Sequence, residues 1–237
     1  MIRDQVAKHL DHDPHFEWRG QNVTRLENLS DIVFALALGM LLLTDAPPAT
    51  FGELIEFLIN IVPVAAAFAI LFMIWNAHFT FFRRYGLADT RIVFINSVLL
   101  LLVLFVAYPL RFIFDSLFGY VIFIITEDAT RLMESDMGFG NSARGVAIFN
   151  AGYAMIIYLT SMMYRHALGK AEMLGLSDNE VQLTKRTMWK YRGETLIAIL
   201  VVIIALTTPL GPFAGGLLIL DWPNAIFWER RYKLVES

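Results

Sequence analysis

The chain has no cysteine in 237 residues, which excludes disulfides, thiolate metal sites and cysteine nucleophiles together and leaves the redox compartment open. Charge is scarce too: 17% of residues are charged, against about 25% in an ordinary soluble protein. The formal net charge is -3, which argues against a nucleic-acid binder, since such a protein needs a basic face to meet phosphates. No Gly-rich phosphate loop, HExxH or GxSxG occurs, and with them go the usual signatures of nucleotide, zinc-protease and serine-hydrolase chemistry. The chain instead carries 57% hydrophobic residues arranged in long blocks, which rules out disorder, a collagen-like fibre and a typical soluble enzyme. Residues up to about Arg25 are polar, so no cleavable signal peptide is expected.

A membrane helix needs about 20 mostly apolar residues. Six segments approach this: 29–45, 54–80, 92–110, 145–168, 194–210 and 213–229. Pro63 and Pro109 are expected to kink or stop the second and third spans, and Thr207-Thr208-Pro209-Leu210-Gly211-Pro212 reads as a tight turn between the last two. The basic residues orient the map. With the N-terminus inside, only Arg111, Arg131 and Arg144 of the 19 Lys and Arg fall outside, a strong match to the positive-inside rule. The outer segments are acidic, with Glu53, Glu56, Asp115, Glu127, Asp128, Glu134 and Asp136, and a solvated loop explains them better than a cation-gathering surface. Residues 118–125 are too short to span and are expected to extend the third helix, and Ser177-Asp178-Asn179-Glu180 reads as a helix start.

The most informative segment is Arg25-Leu26-Glu27-Asn28-Leu29-Ser30-Asp31, at the mouth of the first apolar helix. Ionisable groups at membrane depth are expensive and generally find partners. Those available near the same end of neighbouring spans are His78 and Asn96, so an Asp31–His78–Asn96 polar knot is expected. The plainer alternative is that Ser30 and Asp31 only cap the helix. A Ser-His-Asp triad is rejected, because Ser30 and Asp31 are adjacent and no nucleophile elbow exists. His9, His12 and His15, interleaved with Asp11 and Asp13, have a spacing that a divalent ion could use, but they read better as a polar amphipathic tail, and no metal site is expected.

Together these residues resemble one family. RLENLSD followed by VFALAL is similar to the RxxxFSD signature on the first helix of the transmembrane protein 175 family of endolysosomal potassium channels, and of its single-repeat bacterial members. Trp75, Asn76 and His78 resemble the W-x-x-H pattern of its second helix. Arg91, Asn96 and the Leu-rich run to Pro109 resemble its third, and Tyr164-Arg165-His166 the basic end of its fourth. The resemblance implies six helices per subunit, a homotetramer without a re-entrant pore loop, and a central pore lined by the first helix. Carried over by register from Asp31, the pore constriction falls on Leu36, Met40 and Leu43. Gly39 falls where many members place a Thr that aids ion selection. The constriction positions are spaced four and three apart, so they form one helix stripe, and stacked around an axis such a stripe makes narrow apolar rings. Arg25, Ser30, Asp31, His78 and Asn96 then form a structural and gating network. The chain departs from the signature at Leu29, Ile32 and Gly39, where the family has Phe, Gly and Thr, and the last departure weakens the expectation of K⁺ over Na⁺ selectivity.

The expectation is therefore an all-α integral membrane protein, not an enzyme. Its parts are a cytoplasmic N-terminal tail over residues 1–24, a channel domain of six transmembrane helices over 25–229 and a cytoplasmic C-terminal tail over 230–237. It is expected in the cell membrane as a passive potassium channel with no cofactor, the permeant ion aside. Its expected partners are the bilayer, monovalent cations and other copies of itself. The competing expectations are a proton-conducting or proton-coupled transporter, in which Asp31 and His78 titrate, and a non-conducting membrane scaffold.

Overall fold

A computed structural model describes residues 16–20, 22–42, 47–127, 130–134, 136 and 138–234. The tail residues His9, His12 and His15, and Leu43 of the expected constriction, lie outside these. The described chain is all-helical: α1 Arg25–Leu42, α2 Phe51–Ile59, α3 Ile61–Tyr85, α4 Thr90–Thr126, the short α5 Thr130–Glu134, α6 Phe139–Leu168, α7 Asp178–Thr207, a 3-10 helix Gly211–Leu220 and α8 Asp221–Arg231.

Local chemistry sets most of these boundaries. Thr24 and Glu27 form a reciprocal cap at the start of α1: the Thr24 backbone N–H donates to Glu27 Oε1 at 2.9 Å, and the Glu27 N–H donates to Thr24 Oγ1 at 3.2 Å. Asp89 caps α4 by accepting from the Ile92 N–H at 3.0 Å. The expected start of α7 is present as a full capping box between Ser177 and Glu180. Gly86 ends α3 in the left-handed conformation, at φ 59°, which favours glycine.

Pro63 fits the expectation, since the apolar stretch breaks at Asn60 between α2 and α3, three residues before it, whereas Pro109 does not stop its helix. Pro63 is the third residue of α3, where a missing N–H costs nothing because the first-turn N–H groups have no intrahelical acceptor. Pro109 lies inside α4, which continues for 37 residues, about 55 Å at 1.5 Å per residue. The expected helical extension after Pro109 is thus part of α4. Three stretches are long and apolar enough to cross a bilayer: Phe51–Tyr85, Thr90–Thr126 and Gly140–Leu168. The segment expected as the last span is not one α-helix. It begins Gly-Pro, contains Gly215-Gly216 and winds as a 3-10 helix before the charged α8 begins at Asp221.

The helices share two ends. At one, the start of α4 meets the end of α6, where His166 Nε2 and Lys170 Nζ converge on Asp89 Oδ2 at 2.7 and 2.5 Å. Burial pushes the Asp89 carboxyl up, and these partners more than offset it, holding it well below the usual carboxylate range. The extended segment before α1 is strapped to the same end. Arg19 forks onto Glu180 at 2.7 and 2.8 Å and onto the Leu174 and Gly175 carbonyls. Gly20 lies so close to the Phe82 carbonyl that no β-carbon fits. At the opposite end, the turn after α7 reaches the start of α6, and a β-carbon on Gly211 would sit 2.7 Å from Ala143 Cβ. The main core fills the space between α1, α3, α4 and α6, with Phe34, Leu71, Phe81, Ile92, Leu99 and Ile156 at 2% exposure or less.

Candidate functional site: the first helix and its anchors

Helix α1 is short, and its two faces differ. Ser30, Phe34, Ala37 and Leu41 are buried, and their spacing of four, three and four makes one stripe against α3 and α4. Leu29, Ile32 and Leu36 on the other side are 52%, 66% and 55% exposed. Gly39 belongs to this open side, since a β-carbon built there meets nothing within 4 Å, and Met40 is half-buried beside it. The expected constriction positions that are described therefore lie away from the stripe that packs inside the protomer.

The base of α1 is tied down by a directed chain of hydrogen bonds. His78 Nε2 lies 2.7 Å from Asn96 Oδ1, Asn96 Nδ2 donates to Ser30 Oγ at 2.9 Å, and Ser30 Oγ donates to the Leu26 carbonyl at 2.8 Å. Asn96 can only accept at Oδ1, so His78 carries its proton on Nε2 in this arrangement. Ser30, His78 and Asn96 are 0%, 3% and 0% exposed, so each bond satisfies a group that water does not reach.

Asp31 is not in this chain. It is exposed and accepts from Trp75 Nε1 at 2.8 Å. The expected Asp31–His78–Asn96 knot is corrected to Ser30–Asn96–His78, with Asp31 held separately. The physical reason is helical rotation: Ser30 and Asp31 are consecutive, so about 100° separates them around the axis, and only Ser30 faces α4. Trp75 on α3 thus bonds Asp31 directly, whereas His78, three residues on, reaches Ser30 only through Asn96 of α4. Ser30 and Asp31 do not cap the helix either, because Thr24 does. Arg25 is exposed and takes no part in the chain of bonds.

Three anchors were not picked out from the sequence. Glu27 is 5% exposed and pairs with Arg83 Nη2 at 3.1 Å. Arg83 Nη1 also donates to the Gly20 carbonyl at 2.7 Å, joining the N-terminal strap to α1. The T-x-x-E pattern of Thr24 and Glu27 was a legible signal; the Arg83 pairing depends on tertiary packing. At the other end of α1, buried Arg111 donates from Nη1 to the Leu41 carbonyl at 2.5 Å and lies 3.4 Å from Asp115 Oδ2. The last carbonyls of a helix lack intrahelical donors and carry partial negative charge, so a guanidinium there is favourable. Elsewhere, between α6 and α7, Tyr153 donates its hydroxyl proton to the buried carboxylate of Glu194. Among the described residues, no group of three or more His, Asp or Glu is placed to hold a metal.

Apolar helices of bilayer length, packed around a short helix that buried polar groups fix at both ends, define an all-α membrane protein. The comparisons with known proteins place it more closely. The family Endosomal/lysosomal potassium channel TMEM175 matches residues 25–107, the part that contains α1, α3 and the Asn96 region of α4. A protein named Potassium channel from Marivirga tractuosa is 32% identical over 209 residues, covering 87% of this chain and 84% of that protein. The chain belongs to the TMEM175 family.

Two solved structures are similar. The crystal structure of a variant of the potassium channel MtTMEM175, in complex with a Nanobody-MBP fusion protein, has a TM-score of 0.80 at 32% identity and covers 92% of this chain and 97% of that one. The lysosomal potassium-selective channel TMEM175 homolog from Chamaesiphon Minutus has a TM-score of 0.53 at 19% identity, with 86% of this chain and 97% of that one covered, and supports the fold alone.

Proposed function

We propose that this protein is a passive potassium channel in which copies of α1 meet around a shared axis and line the pore. The observation that carries the reading is the two-faced character of α1. Its buried stripe ends at Leu41, and its other side presents Ile32 and Leu36, more than half exposed among the described residues, and Gly39, where a β-carbon would meet nothing within 4 Å. In this reading the assembly is a homotetramer, as the family resemblance implies, and Leu36, Met40 and Leu43 form narrow apolar rings that strip hydration or exclude water. Gly39 leaves the ring at its level without a hydroxyl. The bonds at Ser30, Asn96, His78 and Asp31, with the Arg111 bond at the far end, hold α1 in the orientation that presents these rings.

The six-crossing arrangement with both termini on the cytoplasmic side belongs to the same proposal. Gly211 sits against Ala143, so the α7 to 3-10 hairpin reaches the face from which α6 descends. The strap, the Asp89 cluster and the start of α7 all sit at the opposite, Arg- and Lys-rich end, which the positive-inside rule makes cytoplasmic. Residues 1–24 and 230–237 are then cytoplasmic tails on either side of a channel domain over 25–229. The proton-transfer alternative is less favoured, because Asp31 meets Trp75 and not His78.

The test is K⁺ flux in liposomes containing the purified protein, with Na⁺ as control. Leu36→Ala and Leu43→Ala should each widen the constriction and raise the leak. Unchanged flux in both variants would contradict the pore assignment, and no flux in any form would leave a scaffold.

A further inference from the structure

Where α4, past its midpoint, runs beside the first turns of α6, the structure has a cavity of about 570 Å³ whose lining includes Tyr108, Arg111, Phe112, Asp115, Arg144 and Ile148. Its depth follows from helix geometry. Arg111 lies 21 residues beyond Thr90, the first residue of α4, which is about 31 Å along the axis. The apolar thickness of a bilayer is about 30 Å. The cytoplasmic end of α4 is marked by Asp89, so the cavity sits at the headgroup level of the opposite leaflet. Arg144 reaches the same level from the first turns of α6.

The cavity is chemically divided. Its mouth is greasy: Tyr108, Phe112 and Ile148 are 56%, 45% and 62% exposed. Its charged part holds two guanidinium groups and one carboxylate, a formal balance of one positive charge. Arg111 is buried and directed by Leu41 O and Asp115. Arg144 is exposed and only loosely steered, with Nη1 3.4 Å from Asn141 Oδ1. The Asn141 amide is itself turned to Asp136, at 2.9 and 3.1 Å. A free inorganic anion would have no use for the aromatic mouth, and a neutral lipid none for the arginines. Arginine is the side chain best suited to phosphate oxygens, and basic pockets between membrane helices suit phospholipid headgroups.

We infer that this cavity binds the phosphodiester headgroup of an anionic phospholipid of the outer leaflet, between Arg111 and Arg144, with the acyl chains leaving over Tyr108, Phe112 and Ile148. The inference uses the membrane orientation of the proposed function and does not require conduction. It has a mechanical corollary. Arg111 is also the group that holds the last carbonyls of α1, so a phosphate that shares its guanidinium touches the anchor of the pore helix directly.

The test is native mass spectrometry of the full-length protein in detergent, scored as bound lipid after identical washing. Three probes are used: phosphatidylglycerol, a diacylglycerol with the same chains, and inorganic phosphate as competitor. Phosphatidylglycerol should be retained about tenfold over diacylglycerol, the effect of charge-assisted hydrogen bonds to the phosphate. Arg144→Gln, an exposed substitution that leaves Arg111 and α1 in place, should lower that retention by a similar factor. Arg192→Gln, on the cytoplasmic half of α7, should not. Equal retention of the two lipids, or no effect of Arg144→Gln, would overturn the inference. Removal of phosphatidylglycerol by an equal concentration of inorganic phosphate would make the cavity a free-anion site and overturn it as well. Flux measurements play no part in these outcomes, so a failed channel reading and a failed lipid reading remain distinguishable.

Discussion

Replacing Asn96 by alanine removes the middle of the bonded chain that fixes α1. Its Oδ1 is the acceptor for His78 Nε2, at 2.7 Å, and its Nδ2 is a donor to Ser30 Oγ, at 2.9 Å. Asn96 is 0% exposed and His78 3%, so water does not take over. The orphaned His78 N–H costs about 1–3 kcal/mol, and the lost bond to Ser30 adds about 1 kcal/mol. Asn96→Ala should therefore destabilise the protein by about 2–4 kcal/mol. Ser30→Ala should cost less, about 1–2 kcal/mol, because it leaves only one Asn96 donor unmet and the His78 bond intact. The double variant should fall short of the sum by about 0.5–1 kcal/mol, since the two residues share a bond. Reversible unfolding in mixed micelles, followed by tryptophan fluorescence, measures all three. Asn96→Ala within about 0.5 kcal/mol of the parent, or Ser30→Ala costing more than Asn96→Ala, would refute the chain of bonds as the anchor.

Two further outcomes follow from the same structure. Burial pushes the Glu180 carboxyl up, but the Arg19 fork and the backbone N–H groups of Ser177 and Glu17 bring it down to about 2 from an ordinary 4.5. A folded-state value below the unfolded one stabilises above about pH 4.5, and that stabilisation is lost as the pH falls through 2. The unfolding midpoint of the parent should fall across this window, and Glu180→Gln should be lower at neutral pH and flatter below it; parallel curves would remove the strap from the stability account. Gly39→Thr has open space for its side chain, and threonine is only slightly better than glycine in a helix, so it should fold at least as stably, with a gain of about 0.3 kcal/mol. It should also raise the K⁺ to Na⁺ flux ratio, and an unchanged ratio would show that position 39 does not face permeating ions.

Much of this architecture was legible in the residues, and the parts that were not share a cause. The start of α7 is local chemistry, Ser177 and Glu180 bonding to one another's backbone, and so it could be read directly. The two prolines differ because their effect depends on place. Pro63 follows the break at Asn60 and sits in the first turn of the new helix, whereas Pro109 lies in a helix that continues past it, as membrane helices allow. The final segment looked like a span by apolarity, but Gly-Pro and Gly-Gly are poor α-helix residues, and the segment winds as a 3-10 helix instead. At the site, the residue types were right and the pairing was not. Ser30, Asp31, His78 and Asn96 all cluster at one end, but which of two consecutive residues faces α4 is a matter of helix rotation, and the sequence signature carries both. The anchoring bond of Arg111 was out of reach, because it goes to the Leu41 carbonyl, a backbone group with no sequence signal, and only its i,i+4 neighbour Asp115 was legible.

The absence of native cysteine makes one measurement especially direct. Single cysteines placed at Leu36 and Gly39, on the open side of α1, and at Phe34 and Ala37, on its packed side, can be probed in proteoliposomes with silver ion, a thiol-reactive monovalent cation that follows the path of K⁺. If α1 lines the conduit, silver should block K⁺ flux through the Leu36→Cys and Gly39→Cys proteins and leave Phe34→Cys and Ala37→Cys conducting. Flux that persists unblocked at positions 36 and 39, or a block confined to 34 and 37, would contradict the central claim.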